Sequence, residues 1–255
     1  MTLSILETAE EMGIAAGKKA ADILRNTIRN QGSANIILAT GASQFEVLKQ
    51  VLSEKEIAWD KVTLFHLDEY LGLSIDHPAS FRKYLLDRFI NIITPSFKQV
   101  VLINGEEDGE KECHRLGEII KNHPIDLAFV GFGENGHLAF NDPPADFDTE
   151  APYLVVNLDE ACRQQQFGEG WFESLESVPK QAISMSIKQI MKTKHIICSV
   201  PDTRKAEAVK NCLNAEVTNL HPASILQTHP SCAYFLDLNA ASLLPKSVLE
   251  KAKTA

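Results

Sequence analysis

The distribution of apolar positions along the chain predicts helices that alternate with short buried strands. Over residues 4–30 apolar side chains recur at helical spacing, with Ser4 as the expected N-cap and Glu7 placed for a capping box. Comparable patterns predict further helices over residues 44–52, 80–92, 107–122 and 201–213, a short helix over 222–226, and a polar helical tail over 240–253.

Short apolar runs bounded by turn residues predict the strands. They cover residues 35–39, 61–67, 99–103, 125–130, 195–200 and 233–236, and residues 153–157 and 182–187 also have strand character. Strands that alternate with helices predict an α/β fold with a doubly wound, mostly parallel sheet and helices on both faces, in a modified Rossmann-like arrangement. No repeat or linker divides the sequence, so we expect residues 1–255 to form a single domain.

Composition and charge narrow the function classes. The net charge of −9 argues against a general nucleic-acid or membrane surface, although a few local donors still suffice to bind an anionic substrate. The beginning of the chain does not resemble a signal or transit peptide, and no apolar run approaches the roughly 20 residues that span a bilayer. Five cysteines without a CxxC pair predict neither disulfides nor a zinc site. We therefore expect a cytoplasmic protein.

The most informative segment is residues 131–143, GFGENGHLAFNDP, which follows the predicted strand 125–130. Its glycines permit tight turns and a close approach of the backbone to a ligand. His137 lies between Asn135 and Asp142, and an imidazole near a carboxylate can transfer protons at neutral pH. The alternative interpretation is an ordinary glycine turn in which the histidine caps a loop.

Two strand–turn–helix units are candidate anion sites. Residues 40–43 join a strand to a helix, where backbone N–H groups and the helix dipole favour an anion, and Thr40 and Ser43 add hydroxyl donors. The turn lacks the sequence of a nucleotide P-loop. In the second unit Lys205 opposes the dipole of its own helix, a conflict that a bound anion would remove. An ordinary turn and a surface lysine are the alternatives.

The predicted strand 61–67 ends in two adjacent carboxylates, Asp68 and Glu69. In an extended segment they point to opposite sides, so one is expected to face a cleft while the other holds the loop, unless both are solvated or cap a turn. His66 is interpreted as a packed histidine rather than a catalyst. Arg163 is a candidate clamp for a phosphate or carboxylate, although a surface role fits an arginine better.

Together these segments predict proton-transfer chemistry on a small phosphorylated substrate. The sequence contains no metal-ligand cluster, nucleophilic serine motif or dinucleotide-binding motif, so neither a metal nor a cofactor is expected. Asp68 would provide a base, and His137 with Asn135 and Asp142 a proton relay.

The chain also resembles a known family. Residues 65–73, FHLDEYLGL, and residues 131–143 look like the two signature stretches of glucosamine-6-phosphate deaminases, and the order and spacing of residues 40–41 and 203–206 also match. The resemblance covers residues 3–238. Phosphogluconolactonases share the fold and a related GxGxDGHxAS stretch, but the continuation LAFNDP here is similar to the deaminase side.

The resemblance implies conversion of glucosamine 6-phosphate and water to fructose 6-phosphate and ammonia. It implies that Asp68 takes the C2 proton and returns it at C1, and that His137, oriented by Asn135 and Asp142, assists opening of the sugar ring. It also implies a set of residues that hold the phosphate: Thr40, Gly41, Ala42, Ser43 and Lys205.

The sequence departs from the family pattern at several positions. Asp142 stands where the family usually has glutamate, the phosphate turn is Gly-Ala-Ser-Gln instead of Gly-Gly-Thr-Pro, and residues 164–168 lack an expected arginine. The acidic loop 146–150 lacks the basic cluster of allosteric members, which predicts no activation by N-acetylglucosamine 6-phosphate. A 6-phosphogluconolactonase and a catalytically silent sugar-phosphate sensor remain alternatives, and the sequence leaves open the gluco or galacto epimer and homo-oligomer formation.

Overall fold

Ten strands form two sheets in the part of the chain that the computed structural model describes, residues 2–168, 170–214 and 216–250. In chain order the strands are β1 (Thr2–Leu6), β2 (Ala34–Leu38), β3 (Val62–His66), β4 (Asp68–Tyr70), β5 (Gln99–Val101), β6 (Leu127–Val130), β7 (Tyr153–Asn157), β8 (Gln181–Met185), β9 (His195–Val200) and β10 (Cys232–Asp237). Seven of them pair in parallel in the order β1-β10-β9-β6-β2-β3-β5. The antiparallel order β4-β8-β7 forms a second, smaller sheet.

The large sheet is doubly wound, which confirms the predicted fold class. From β2 the chain adds β3 and β5 toward one edge, then returns to place β6 on the opposite side of β2 and continues through β9 and β10. The direction of winding therefore switches between β2 and β6. Open α/β sheets bind ligands beyond the carboxyl ends of the strands at such a switch.

Helices cover both faces of the large sheet. The α-helices of the described residues are α1 (Ala9–Gln31), α2 (Phe45–Ser53), α3 (Phe81–Arg88), α4 (Gly109–Ile120), α5 (Glu160–Gly168), α6 (Ile187–Met191), α7 (Ala206–Asn214) and α8 (Lys246–Leu249), of which α5 packs against the small sheet. In β2 the side chains of Ile36 and Leu38 join a core cluster with α1 and α2, while Ile37 joins the cluster that contains α4 and α7. Because both faces are covered, the central strands are apolar at nearly every position.

The start of α1 differs from the sequence prediction. Ser4 lies in β1, the edge strand paired with β10, and the N-cap is Thr8. Thr8 Oγ1 accepts the N–H of Glu11 at 3.1 Å, and Glu11 Oε2 accepts the N–H of Thr8 at 3.2 Å, which completes the capping box. The short strand was missed because a helical pattern of apolar residues runs through it.

Other helix boundaries also shift. The segment expected to open a helix at residue 201 is a 3-10 turn, Thr203–Lys205, that leads into α7, and the short helix predicted at 222 is the 3-10 helix Pro222–Thr228. The predicted helical tail was too long: α8 is a single turn, and residues 251–253 lie outside the described residues. Within the described ranges, none of the helices is long and apolar enough to cross a membrane.

Candidate active site

Four neighbouring strands of the large sheet, β3, β2, β6 and β9, end beside one cleft. Residues 40–43 follow β2, Asp68 follows β3, residues 131–137 follow β6 and Lys205 follows β9, and all four segments contribute to the lining. Parallel strands carry their carboxyl ends to the same edge, which explains how segments far apart in sequence meet here. Asn135 and Asp142 do not line the cleft but contact His137, which does. The structure therefore brings together all nine candidate residues.

Asp68 lies in the cleft with little access to water. The residue is 8% exposed, and none of the described residues donates a hydrogen bond to its carboxylate. Burial, and to a smaller extent the negative charge of Glu69, raises the pKa of Asp68 to about 8. A carboxylate with this pKa is a stronger base than an ordinary one and is partly ionised near neutral pH.

Glu69 points away from the cleft, as expected for the second of two adjacent residues in an extended strand. Its carboxylate accepts the backbone N–H of Arg82 at 2.8 Å and the hydroxyl of Ser80 at 3.0 Å, both at the start of α3. The guanidinium of Arg82 also lies 3.3 Å from Glu69 Oε2. Glu69 therefore anchors α3, which agrees with the prediction that one carboxylate faces the cleft and the other holds the structure.

His137 is held against a carboxylate and an amide. Its Nδ1 lies 3.2 Å from Asp142 Oδ1, and its backbone N–H donates to Asn135 Oδ1 at 3.0 Å. Asn135 in turn donates from Nδ2 to Asp142 Oδ1 at 3.2 Å. Burial acts to raise the pKa of Asp142, but His137, Asn135 and Cys162 together outweigh it and lower the pKa below the ordinary value. Asp142 is therefore ionised at neutral pH and can stabilise a protonated imidazole.

Gly133 provides the space that the imidazole occupies. A Cβ at this position would lie 2.6 Å from Nδ1 of His137 and closer still to two other ring atoms, well inside van der Waals contact. The glycine is therefore required by the position of the ring rather than by its backbone conformation.

Ser184 connects the base to the histidine loop. It pairs in register with Asp68 where β8 lies beside β4, and its hydroxyl accepts the N–H of Phe140 at 3.1 Å. The amide of Asn141 donates to the same hydroxyl at 3.3 Å. The small sheet thus joins the two segments that carry the acid–base groups.

The buried side-chain amide of Gln44 holds the turn at residues 40–43 in place. Nε2 of Gln44 donates to the hydroxyls of Ser43 and Ser199, each at 3.0 Å, which ties the turn to β9. Thr40 Oγ1 is buried and has no hydrogen-bond partner among the described residues. A buried hydroxyl without a partner at the rim of a cleft is suited to donate to a bound anion.

Two further sets of residues line the cleft and were not assigned from the sequence. Arg204 lies beside Lys205, and its guanidinium is 2.8 Å from Asp202 Oδ2 and 3.8 Å from Glu134 Oε1. Gln165 and Gln166 reach the cleft from α5. Arg204 was detectable from its place at the helix start, whereas the position of α5 depends on tertiary packing.

The two residues regarded as doubtful from the sequence lie away from the cleft. His66 is fully buried, and burial lowers its pKa to about 3, so it stays neutral. Arg163 donates to the backbone carbonyls of Leu175 and Val178 and so holds the loop after α5. The side chains of His137, Asp142 and Cys162 form a largely buried group next to the cleft. One ring nitrogen, one carboxylate oxygen and the sulfur of this group lie within 4.8 Å of one another.

The fold and cleft define a class: a doubly wound α/β protein in which a carboxylate and an imidazole adjoin a strand–helix turn that is suited to bind an anion. The model of the family described as glucosamine-6-phosphate isomerases/6-phosphogluconolactonase matches residues 7–234, and the chain belongs to this family. Among curated proteins, the glucosamine-6-phosphate deaminase of Streptococcus pneumoniae is 37% identical over 237 residues, which cover 92% of this chain and 97% of the relative.

Solved structures agree with this assignment. A monomeric glucosamine-6-phosphate deaminase superposes with a TM-score of 0.85 at 31% identity, over 95% of this chain and 100% of its own. A 6-phosphogluconolactonase from Shewanella baltica has a TM-score of 0.76 at 18% identity, over 93% of this chain and 97% of its own. At that identity the second comparison supports the fold alone.

Proposed function

We propose that the protein is an amino-sugar phosphate deaminase–isomerase that converts glucosamine 6-phosphate and water to fructose 6-phosphate and ammonia. The observation that carries the proposal is the convergence of Asp68, His137 and Lys205 on one cleft. Membership of the family and the high coverage of the deaminase relatives support the substrate class.

The phosphate binds at the end of the cleft formed by residues 40–43 and Lys205. Backbone N–H groups of the turn, the hydroxyls of Thr40 and Ser43, and the ammonium of Lys205 supply the donors. Arg204 adds a second cation at the rim. The glutamines of α5 occupy the segment where an arginine was expected, so phosphate recognition relies on this basic pair and on the turn.

Ring opening is assigned to His137. The imidazole transfers a proton between the anomeric hydroxyl and the ring oxygen of the pyranose, which breaks the C1–O5 bond and leaves an open-chain aldehyde. Asp142 and Asn135 hold the ring in position, and the carboxylate of Asp142 stabilises the imidazolium form.

Isomerisation is assigned to Asp68. Its carboxylate removes the proton from C2 and delivers it to C1. In the same conversion the amino group at C2 gives up one proton and O1 gains one, so the C1 aldehyde becomes a hydroxymethyl group and C2 becomes an imine. Water then adds to the imine, and ammonia leaves with fructose 6-phosphate as the other product. One carboxyl group suffices because C1 and C2 are adjacent, and its burial limits exchange of the carried proton with solvent.

An ammonia-release assay with glucosamine 6-phosphate tests the proposal. We expect turnover by the wild-type protein and a loss of at least about 100-fold in kcat for Asp68→Asn, which keeps the shape of the side chain but cannot accept the proton. Glucosamine without phosphate serves as the substrate control. Absence of ammonia release from any aminohexose 6-phosphate overturns the proposal.

The same preparations separate the alternatives. A lactonase opens 6-phosphogluconolactone rapidly and depends little on Asp68, since no C–H proton is transferred. A sensor binds the sugar phosphate in a calorimeter without turnover. Assays on glucosamine and galactosamine 6-phosphates side by side identify the epimer.

A further inference from the structure

The side chains behind His137 form a group that the proton-transfer mechanism does not fully use. Cys162 lies in the first turn of α5, where its backbone N–H donates to Asp159 Oδ1 at 2.7 Å. Its thiol is buried beside Asp142, and the three side chains of His137, Asp142 and Cys162 present their ligand atoms within 4.8 Å of one another. Neither ring opening nor proton transfer at C2 requires a thiol at this position.

Two buried polar atoms in this group have no well-aligned hydrogen bond among the described residues, although the thiol of Cys162 lies against the carboxyl of Asp142. They are Nδ1 of His137 and Oδ2 of Asp142. Nδ1 lies 3.2 Å from the other carboxylate oxygen, but outside hydrogen-bond alignment. The side chains of His137 and Asp142 are only 11% and 10% exposed, so water does not readily compensate for the missing bonds. Buried polar atoms left in this way are costly and indicate a role for a further ligand.

We propose that His137, Asp142 and Cys162 form an inhibitory site for a thiophilic divalent cation, with Zn²⁺ as the ion of choice. Imidazole nitrogen, carboxylate oxygen and thiolate sulfur are the ligand atoms that zinc takes in proteins. Bonds of about 2.0–2.3 Å in tetrahedral geometry place ligand atoms roughly 3.3–3.8 Å apart, so small side-chain rotations within this group are sufficient. Mg²⁺ and Ca²⁺ prefer sites built from oxygen alone and are not expected to bind.

Binding of the ion at this site would prevent proton transfer by the imidazole of His137. The ion takes the Nδ1 lone pair of His137 and replaces the contact between that atom and Asp142, so the ring can no longer be stabilised as an imidazolium. The cleft residues that hold the phosphate are not ligands of the ion. Inhibition is therefore expected to lower kcat and to leave KM nearly unchanged. This consequence rests on the proposed function, whereas metal binding itself does not.

Titration of the metal-free protein with Co²⁺ and Zn²⁺ tests the site directly. Co²⁺ bound through Cys162 gives a thiolate-to-metal charge-transfer band, which one equivalent of Zn²⁺ removes. We expect Cys162→Ala and Asp142→Asn each to weaken Zn²⁺ binding by about 100-fold or more, because each removes one of three protein ligands. Cys113→Ala is the matched control, since Cys113 is also buried but belongs to α4, and it should bind as tightly as wild type.

Each outcome decides the question. The proposal is supported by the band in wild type and in Cys113→Ala, by its loss in Cys162→Ala, and by a requirement for about 100-fold more metal in Asp142→Asn; circular dichroism checks that the variants are folded. No binding by wild type overturns it. So does undiminished binding by Cys162→Ala, which would assign the ion to other thiols, or by Asp142→Asn, which would remove the carboxylate from the site. If wild type binds Zn²⁺ as described but releases no ammonia with or without the metal, the metal site stands and the proposed deaminase activity fails.

Discussion

The Asp68→Asn variant is expected to lose activity. It should also be more stable than wild type, by a margin that grows as the pH rises. The folded state raises the pKa of this carboxyl from 3.8 to about 8, mainly through burial. The unfolded chain therefore ionises the group above about pH 4, whereas the folded protein keeps it protonated until about pH 8. The stability contributed by the protonated group is complete below pH 4 and is lost as the pH rises toward 8.

The size of the effect follows from this shift. Each pH unit between the two pKa values costs the wild-type protein ~1.4 kcal/mol of unfolding free energy, so the loss between pH 5 and pH 7 is on the order of 2–3 kcal/mol. The amide of Asp68→Asn does not ionise, and the variant should not show this loss. Burial without a hydrogen-bond partner is what makes the charge costly.

Urea unfolding at pH 5, 6 and 7 provides the measurement. The difference in unfolding free energy between Asp68→Asn and wild type should grow by on the order of 2–3 kcal/mol over this range. Asp60→Asn is the control, because Asp60 is exposed to water and the same chemical change there should retain the wild-type dependence on pH. A constant difference between Asp68→Asn and wild type would refute the reasoning, since it would mean that folding does not disfavour the ionised carboxylate.

The remaining predictions concern activity. Because Asp68 acts as a base only when ionised and its pKa is raised to about 8, kcat/KM should rise about tenfold from pH 7 to pH 9 in steady-state assays, and a flat profile in this range would contradict its role. Gly133→Ala should lower kcat by about 100-fold, since the added Cβ overlaps the ring of His137, whereas Gly168→Ala, with open space at that Cβ, should match wild type. Lys205→Ala should raise KM by roughly 10- to 100-fold with a smaller change in kcat, and an unchanged KM would remove the lysine from the phosphate site. Initial rates with and without N-acetylglucosamine 6-phosphate should be equal, and activation would show that an effector site exists.

Much of the fold follows from local sequence patterns. Continuous apolar runs such as the one in β6 predicted the central strands, because strands covered on both faces have few polar positions. The edge strand β1 was missed, since its few residues merge with the helical pattern that continues into α1. Of the small antiparallel sheet, β7 and β8 were predicted as strand segments, but β4 and the pairing were missed, because a strand of three residues has no periodicity of its own and exists through its pairing with β8.

The candidate site divides in a similar way. Asp68 and His137 could be identified because Asp68 directly follows a recognisable strand, His137 lies in the glycine-rich segment after another, and each carries a distinctive chemical group. Arg204 was within reach of the same argument, being next to Lys205 at a helix start. Cys162 was not, because it lies about twenty residues from Asp142 and meets it only through the packing of α5. Tertiary docking of a helix leaves no local mark in the sequence.

The hydroxyl of Ser184 has an implication for how such a protein can change during evolution. The backbone of Ser184 pairs with the strand of Asp68 and its hydroxyl accepts from the loop after His137, so Ser184 joins the two segments that carry Asp68 and His137 without involving the turn before α2. Exchanges at residues 42 and 43 can therefore change which sugar phosphate is accepted, while the arrangement of Asp68 and His137 is retained. Proteins that descend from such an ancestor can accept new sugar phosphates while they keep the same acid–base residues.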